Sequence, residues 1–201
     1  MQEEGYIKFK AEWKLAAAFP LKKVHHLLNT RQVLFEQGLI GAYPDGIGFG
    51  NLSMRWGEDD QFLISGSRTG GLAQLSPEEL SLVTQVDINQ NLLHCQGPII
   101  ASSESMSHSM IYQCCPSAKV AIHVHDLASW ERLLAQVPTT DSKAPYGSPE
   151  MAWTIQDLFE NSDLLHKKIL VMSGHREGIF VFGKDFKEAL EVLLRFGVCK
   201  G

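Results

Sequence analysis

The sequence predicts one α/β domain with mixed strands. Stretches with helical apolar spacing alternate with extended stretches along the chain, the pattern of helices packed on a sheet. A length of 201 residues with 44% hydrophobic content is enough for one large core. No internal repeat, low-complexity tract or linker divides it, so residues 1–201 read as a single unit.

Leu21, Val24, Leu27, Leu28, Val33, Leu34 and Leu39 predict a helix that stops near Gly38 or Gly41. Tyr43-Pro44-Asp45-Gly46 and Gly48-Phe49-Gly50 form a turn-rich passage into a strand at Asn51–Trp56. Gln61–Ser65 is a second strand, joined to the first by the hairpin Gly57-Glu58-Asp59-Asp60. The loop Ser65-Gly66-Ser67-Arg68-Thr69-Gly70-Gly71 then offers amides and hydroxyls suited to an anion. It lacks the Walker spacing and the Lys-Ser/Thr ending, which argues against a nucleotide-hydrolase P-loop.

Ser76-Pro77-Glu78-Glu79 has a capping-box pattern and opens a short helix, and Val83–Leu93 returns as extended structure. Ser103 is expected to cap the next helix, which runs from Glu104 until Cys115-Pro116 ends it. Glu104 and His108, four apart, share a face, and a carboxylate there lies near the positive end of the helix dipole.

In Lys119–His125, Val120, Ile122 and Val124 alternate with Ala121, His123 and His125. A strand sends alternate side chains to opposite faces, so both imidazoles share one face while the apolar set turns to a core. Paired imidazoles suit zinc and related divalent ions. An isolated His-x-His is common on ordinary strands, so the metal reading needs further donors. Beyond it come a helix around Leu127–Leu134, a loop through Pro138 and Pro145, and a helix near Pro149–Phe159. Strands at Lys168–Met172 and Gly178–Phe182 precede a last helix over Asp185–Phe196. Asp185 is its cap, and Glu191 with Arg195 forms an i,i+4 pair.

A net charge of −5 without like-charge blocks argues against nucleic acid, and a small-molecule partner is expected. Met1–Gly5 lacks a signal-peptide pattern and no apolar run spans a bilayer, so a soluble, cytoplasmic protein without membrane contact is expected. Cys95, Cys114, Cys115 and Cys199 form no CxxC pair and read as reduced thiols. His25, His26, His94 and His166 have no motif around them and read as surface or packing residues.

Six segments, in order, resemble the class II aldolase and adducin head domain superfamily. They are Gly50-Asn51-Leu52-Ser53; Phe62-Leu63-Ile64 with its loop; Ser102-Ser103-Glu104 with His108, Ile111 and Tyr112; Ala121–His125; Ala144-Pro145-Tyr146; and Gly183 with the last helix. The resemblance covers roughly residues 20 to 195. It implies a three-layer α/β/α domain around a mostly antiparallel central sheet, usually assembled as a homotetramer. It also implies a divalent ion, commonly zinc, held by His123, His125 and a third histidine, with Glu104 as acid/base. Asn51, Ser102 and Ser103, joined by Thr69 and Gly70, would bind a substrate phosphate. Tyr146 resembles a tyrosine that acts on the second proton from an adjacent subunit, and His108 reads as a supporting residue rather than a ligand.

Two departures bear on these expectations. Where the family shows histidine followed by glycine, this chain has Gly174-His175-Arg176-Glu177-Gly178. His175 is preferred as third ligand because neutral imidazole matches the other donors, with Glu177 as the alternative if Gly178 marks the motif. The small-residue loop lacks the family's proline and is longer, and Arg68 is placed to meet a phosphate or carboxylate. The implied activity is metal-dependent aldol cleavage or condensation of a phosphorylated sugar or related hydroxy-carbonyl compound through a metal-stabilised enediolate. Sugar-phosphate 4-epimerisation, dehydration of a methylthioribulose phosphate and a non-catalytic adducin-like interaction module remain alternatives.

Overall fold

The computed structural model describes residues 7–57 and 60–198. The expected hairpin positions Glu58 and Asp59, the Met1–Gly5 segment and Cys199 lie outside the described residues. Strands β1 (Lys10–Leu15), β4 (Asn51–Arg55), β5 (Phe62–Ser65), β6 (Leu80–Asp87), β7 (Leu92–Gly97), β8 (Val120–His125), β9 (Ile169–Val171) and β10 (Gly178–Gly183) form one sheet. Its order is β1-β7-β6-β5-β4-β8-β10-β9. All neighbours are antiparallel except β1 and β7. A separate small hairpin pairs β2 (Gly41–Ala42) with β3 (Gly48–Phe49).

Two apolar clusters show why the sheet carries helices on both faces. Met106, Met110 and Ile111 of α2 (Ser105–Cys114) join Met151 and Ile155 of α4 (Pro149–Asn161) and Leu164 of α5 (Leu164–Lys167) against Ala121, Phe180 and Phe182. On the other face Val24, Leu27 and Leu34 of α1 (Leu21–Glu36) meet Leu133 of α3 (Leu127–Leu133) and Val192 and Leu193 of α6 (Phe186–Arg195). They pack on Val120, Ile122 and Val124. The alternation read in β8 therefore divides its side chains between two cores, and the three-layer α/β/α expectation holds.

The ends of the helices follow local chemistry. Gly38 at φ 73° closes α1, with the Leu39 N–H donating to the Leu34 carbonyl. Ser76 and Glu79 form the capping box of a 3₁₀ turn at Pro77–Glu79, and Asp185 caps α6 by accepting from the Glu188 N–H. Ser103 does not cap α2: Glu104 holds that position without a side-chain cap bond, and the turn is fixed by Ser102. Its hydroxyl accepts from the Glu104 N–H and its carbonyl from the Ser105 N–H. Arg195 donates to the Lys167 carbonyl at 2.9 Å, and Glu191 faces Lys187 at 3.9 Å instead of Arg195.

Three elements escape the periodicity reading: β1, the β2/β3 hairpin and α5. β1 has mostly exposed side chains, so no half-buried alternation marks it. Its backbone pairing with β7 makes it a strand. Cys95, Cys114 and Cys115 are free thiols, and His94 pairs at the surface with Glu12 at 3.2 Å. No helix among the described residues is long and apolar enough to cross a membrane.

Candidate active site

The ten residues singled out from the sequence all line one cleft. Register explains part of this. β8 lies between β4 and β10, so Asn51 and Phe180 both stand opposite His123 while Gly178 stands opposite His125. Opposed residues share a face, which puts Asn51 beside the imidazoles. His175 arrives on the turn between β9 and β10. The Met172 N–H donates to the Gly178 carbonyl, and the His175 N–H to the Met172 carbonyl. Two glycines allow the approach. A Cβ on Gly174 would strike the Ala144 carbonyl, and one on Gly178 would lie 3.0 Å from His123 Cε1 and 3.1 Å from His175 Nδ1.

His123, His125 and His175 are buried, and each offers a ring nitrogen, these atoms lying within 4.8 Å of one another. The Nε2 atoms of His123 and His125 are 3.1 Å apart. The His123 ring stacks on Phe180, and its Nδ1–H donates to the Ile179 carbonyl, leaving a lone pair on Nε2. Burial, and for His123 the neighbouring His175, holds the first two imidazoles well below their usual pKa; His175 is lowered to about 3 by burial and by Lys8. Three neutral nitrogen donors converging in a buried pocket fit a divalent cation that keeps a further position open. Glu177, the other sequence reading of the third position, turns its Oε2 to the Tyr43 hydroxyl at 2.9 Å.

Glu104 is 2% exposed, and its Oε2 accepts from the Ser107 hydroxyl at 2.9 Å. Its Oε1 lies 3.8 Å from His175 Nδ1. The carboxylate thus borders the imidazole cluster from the start of α2. Tyr146 stacks on His175 with ring centroids 4.6 Å apart, inside the cleft of its own chain. The sequence resemblance suggested a tyrosine supplied by a neighbour. Within one chain, the short Pro145-Tyr146-Gly147 turn sets the ring against His175. Lys8 donates to the Tyr146 carbonyl at 2.9 Å and lies 3.4 Å above the ring. Desolvation lowers the Lys8 pKa, while Glu104 opposes that shift.

The opposite wall is made by the 66–70 loop and by Ser102 and Ser103. Gly66 pairs with Ala101 and the Ser67 N–H donates to the Ile100 carbonyl, so the two segments are tied together. Thr69 donates its hydroxyl proton to the Gly66 carbonyl at 2.8 Å, and Arg68 stands exposed at φ 63° on the rim. Asn51 is oriented from behind. Its Oδ1 accepts only, so His108 Nε2–H donates to it at 2.6 Å. His108 Nδ1 must then accept from the Ser53 hydroxyl at 2.7 Å, and Ser53 accepts from the Tyr112 hydroxyl at 2.7 Å. Burial and His123 keep His108 neutral, as this relay requires. The Asn51 amide N–H groups remain as donors.

Sequence reading missed Arg31, Lys8 and Tyr43. Arg31 is buried and donates to the carbonyls of Thr69, Gly70 and Ala73, fastening the loop to α1. Its position, four after Leu27 and three after Leu28, put it on the buried stripe of the helix and was the available signal. Lys8 and Tyr43 carry no local signal, because their partners lie 138 and 82 residues away.

An α/β/α protein whose cleft sets a buried three-histidine cluster between a carboxylate and a small-residue loop is the class that emerges from this geometry. Residues 27–196 match the family model of the Class II Aldolase and Adducin N-terminal domain, and the chain belongs to that family. L-fuculose-1-phosphate aldolase from Thermus thermophilus is similar in structure at a TM-score of 0.59 and 23% identity, over 90% of this chain and 88% of that one. A sugar-phosphate aldolase from Thermotoga maritima gives 0.64 at 16% identity, over 87% and 90%. YgbL from Escherichia coli, described by the alternatives aldolase, epimerase and decarboxylase, gives 0.63 at 16%, over 87% and 84%. At these identities the likeness is one of fold. Among curated protein sequences none matches this chain.

Proposed function

We propose that the chain is a divalent-metal-dependent lyase that cleaves, or in reverse joins, a small phosphorylated hydroxy-carbonyl compound by aldol chemistry. The observation that carries the reading is the meeting of His123, His125, His175, Glu104 and the loop in one cleft. His123, His125 and His175 would hold the ion, and zinc suits three neutral imidazoles with an open position. When bound, such an ion supplies a Lewis acid to the carbonyl and adjacent hydroxyl oxygens of the substrate.

The remaining work falls to the chain's own groups. The Asn51 amide, Ser102, Ser103 and the loop at Thr69 and Gly70 grip the phosphate and fix the scissile bond. Glu104, facing the imidazoles from α2, exchanges the proton at the carbon beside the carbonyl. Tyr146 handles the proton of the hydroxyl on the departing carbon as that carbon becomes an aldehyde. Burial of these groups excludes water from the reacting bond. A homotetramer, which rests on the family resemblance, and a cytoplasmic location belong to the same reading.

The test is metal content by elemental analysis of untagged protein beside a His123→Ala/His125→Ala variant, followed by a cleavage screen over phosphorylated sugars. About one ion per chain, lost in the variant, with aldehyde release abolished in Glu104→Gln while metal is retained, is the expected result. An epimerised or dehydrated product in place of cleavage would move the reaction to those alternatives. No ion after reconstitution and no turnover across the panel would favour the interaction module.

A further inference from the structure

The β2/β3 hairpin reaches over the imidazole cluster. Gly41 and Gly48 pair with their partners across it, and the Tyr43 N–H donates to the Ile47 carbonyl. Phe49 stacks on His125 at 5.2 Å, and Tyr43 packs on Phe49 at 4.7 Å. The Tyr43 hydroxyl lies 2.9 Å from His125 Nδ1 and 2.9 Å from Glu177 Oε2. Only one arrangement of protons satisfies all three groups. An ionised carboxylate only accepts, so the tyrosine O–H is donated to Glu177. The phenolic oxygen is then an acceptor, and His125 must present Nδ1–H to it.

We infer that Tyr43 and Glu177 are positioning residues that hold His125 in the Nδ1–H form, with its Nε2 lone pair turned toward the metal position. The assignment rests on the metal reading above. The Ile179 carbonyl imposes the same form on His123, so two Nε2 lone pairs face each other at 3.1 Å. A shared cation relieves that repulsion; without one, the competing form is an Nε2–H on His125 donated to His123 Nε2, which Tyr43 and Glu177 oppose by occupying Nδ1. A carboxylate behind the ring also makes the imidazole a stronger donor.

Glu177 carries a mark of this role. Its φ of 72° is left-handed, a conformation glycine adopts without strain and glutamate does not. Replacement by glycine therefore removes the carboxylate and relieves the backbone.

The experiment has two readouts. In metal-free protein, two-bond 1H–15N spectra of the histidine rings are expected to give His125 as the Nδ1–H form, with that preference lost in Tyr43→Phe. Competition for Zn2+ or Co2+ against a chromophoric chelator is expected to show affinity falling about 10- to 100-fold in Tyr43→Phe, Glu177→Gln and Glu177→Gly. Thermal stability of metal-free Glu177→Gly should equal or exceed that of the parent. A His125 Nε2–H form in the parent, or variants that bind within twofold of it, would overturn the assignment alone. A parent protein that binds neither ion while showing Nδ1–H would overturn the metal reading and leave the hydrogen-bond relay standing.

Discussion

Replacing Arg31 by methionine probes how the loop is held. The guanidinium is 1% exposed, stacks on Phe35, and donates at 2.7 Å to the Gly70 carbonyl and at 3.2 Å to those of Thr69 and Ala73. Gly70 and Thr69 are buried, whereas Ala73 is exposed and its carbonyl can turn to water. The Thr69 carbonyl also accepts from the Leu72 N–H, so it keeps one partner. A buried acceptor stripped of a charged donor costs about 1–3 kcal/mol, and a weakened second one adds roughly half as much. Methionine recovers part of this by removing a desolvated cation, whose burial already lowers the Arg31 pKa. Arg31→Met should therefore destabilise the protein by about 2–3 kcal/mol, and Arg31→Lys by less.

The consequence reaches the site because a trans peptide points its N–H opposite its C=O. Arg31 pulls the Thr69 and Gly70 carbonyls toward α1 and so turns the Gly70 and Gly71 N–H groups away from it. Urea unfolding measures the stability, and hydrogen exchange over residues 66–73 measures the loop. KM for a phosphorylated substrate should rise more than KM for its unphosphorylated analogue. A destabilisation below about 1 kcal/mol with unchanged exchange in the loop would refute the clamp.

Gly178→Ala should lower metal affinity at least tenfold with little change in unfolding midpoint, since its Cβ would press His123 and His175 by a few tenths of an ångström; chelator competition decides it. Asn51→Asp places a carboxylate where an anion is expected, so KM for phosphorylated substrates should rise tenfold or more while circular dichroism stays unchanged. The metal-free protein should lose stability as pH falls. His108, His123 and His125 stay neutral well below 6.5, and His175 down to about 3, so the unfolded chain binds protons that the folded chain refuses. Stability is then full above about pH 6.5 and declines below it, by up to about 1.4 kcal/mol per pH unit for each histidine. Urea midpoints at pH 7.5 and 5.5 test this, and equal values would contradict it.

The features legible in the sequence are those that depend on near neighbours. Alternation in Val120–His125 put two imidazoles on one face, and Ser76, Gly38 and Asp185 marked helix ends through bonds within five residues. The order of motifs along the chain carried the family. Packing settled what remained. The turn between β9 and β10 selected His175 for the cluster and sent Glu177 to Tyr43, a choice that the spacing of Gly174–Gly178 left open. Backbone pairing with β7 made β1 a strand, and the depth of α1 in the core made Arg31 a loop clamp rather than a surface charge. Periodicity reports which face a residue is on; only the packed chain fixes which group, scores of residues away, meets it there.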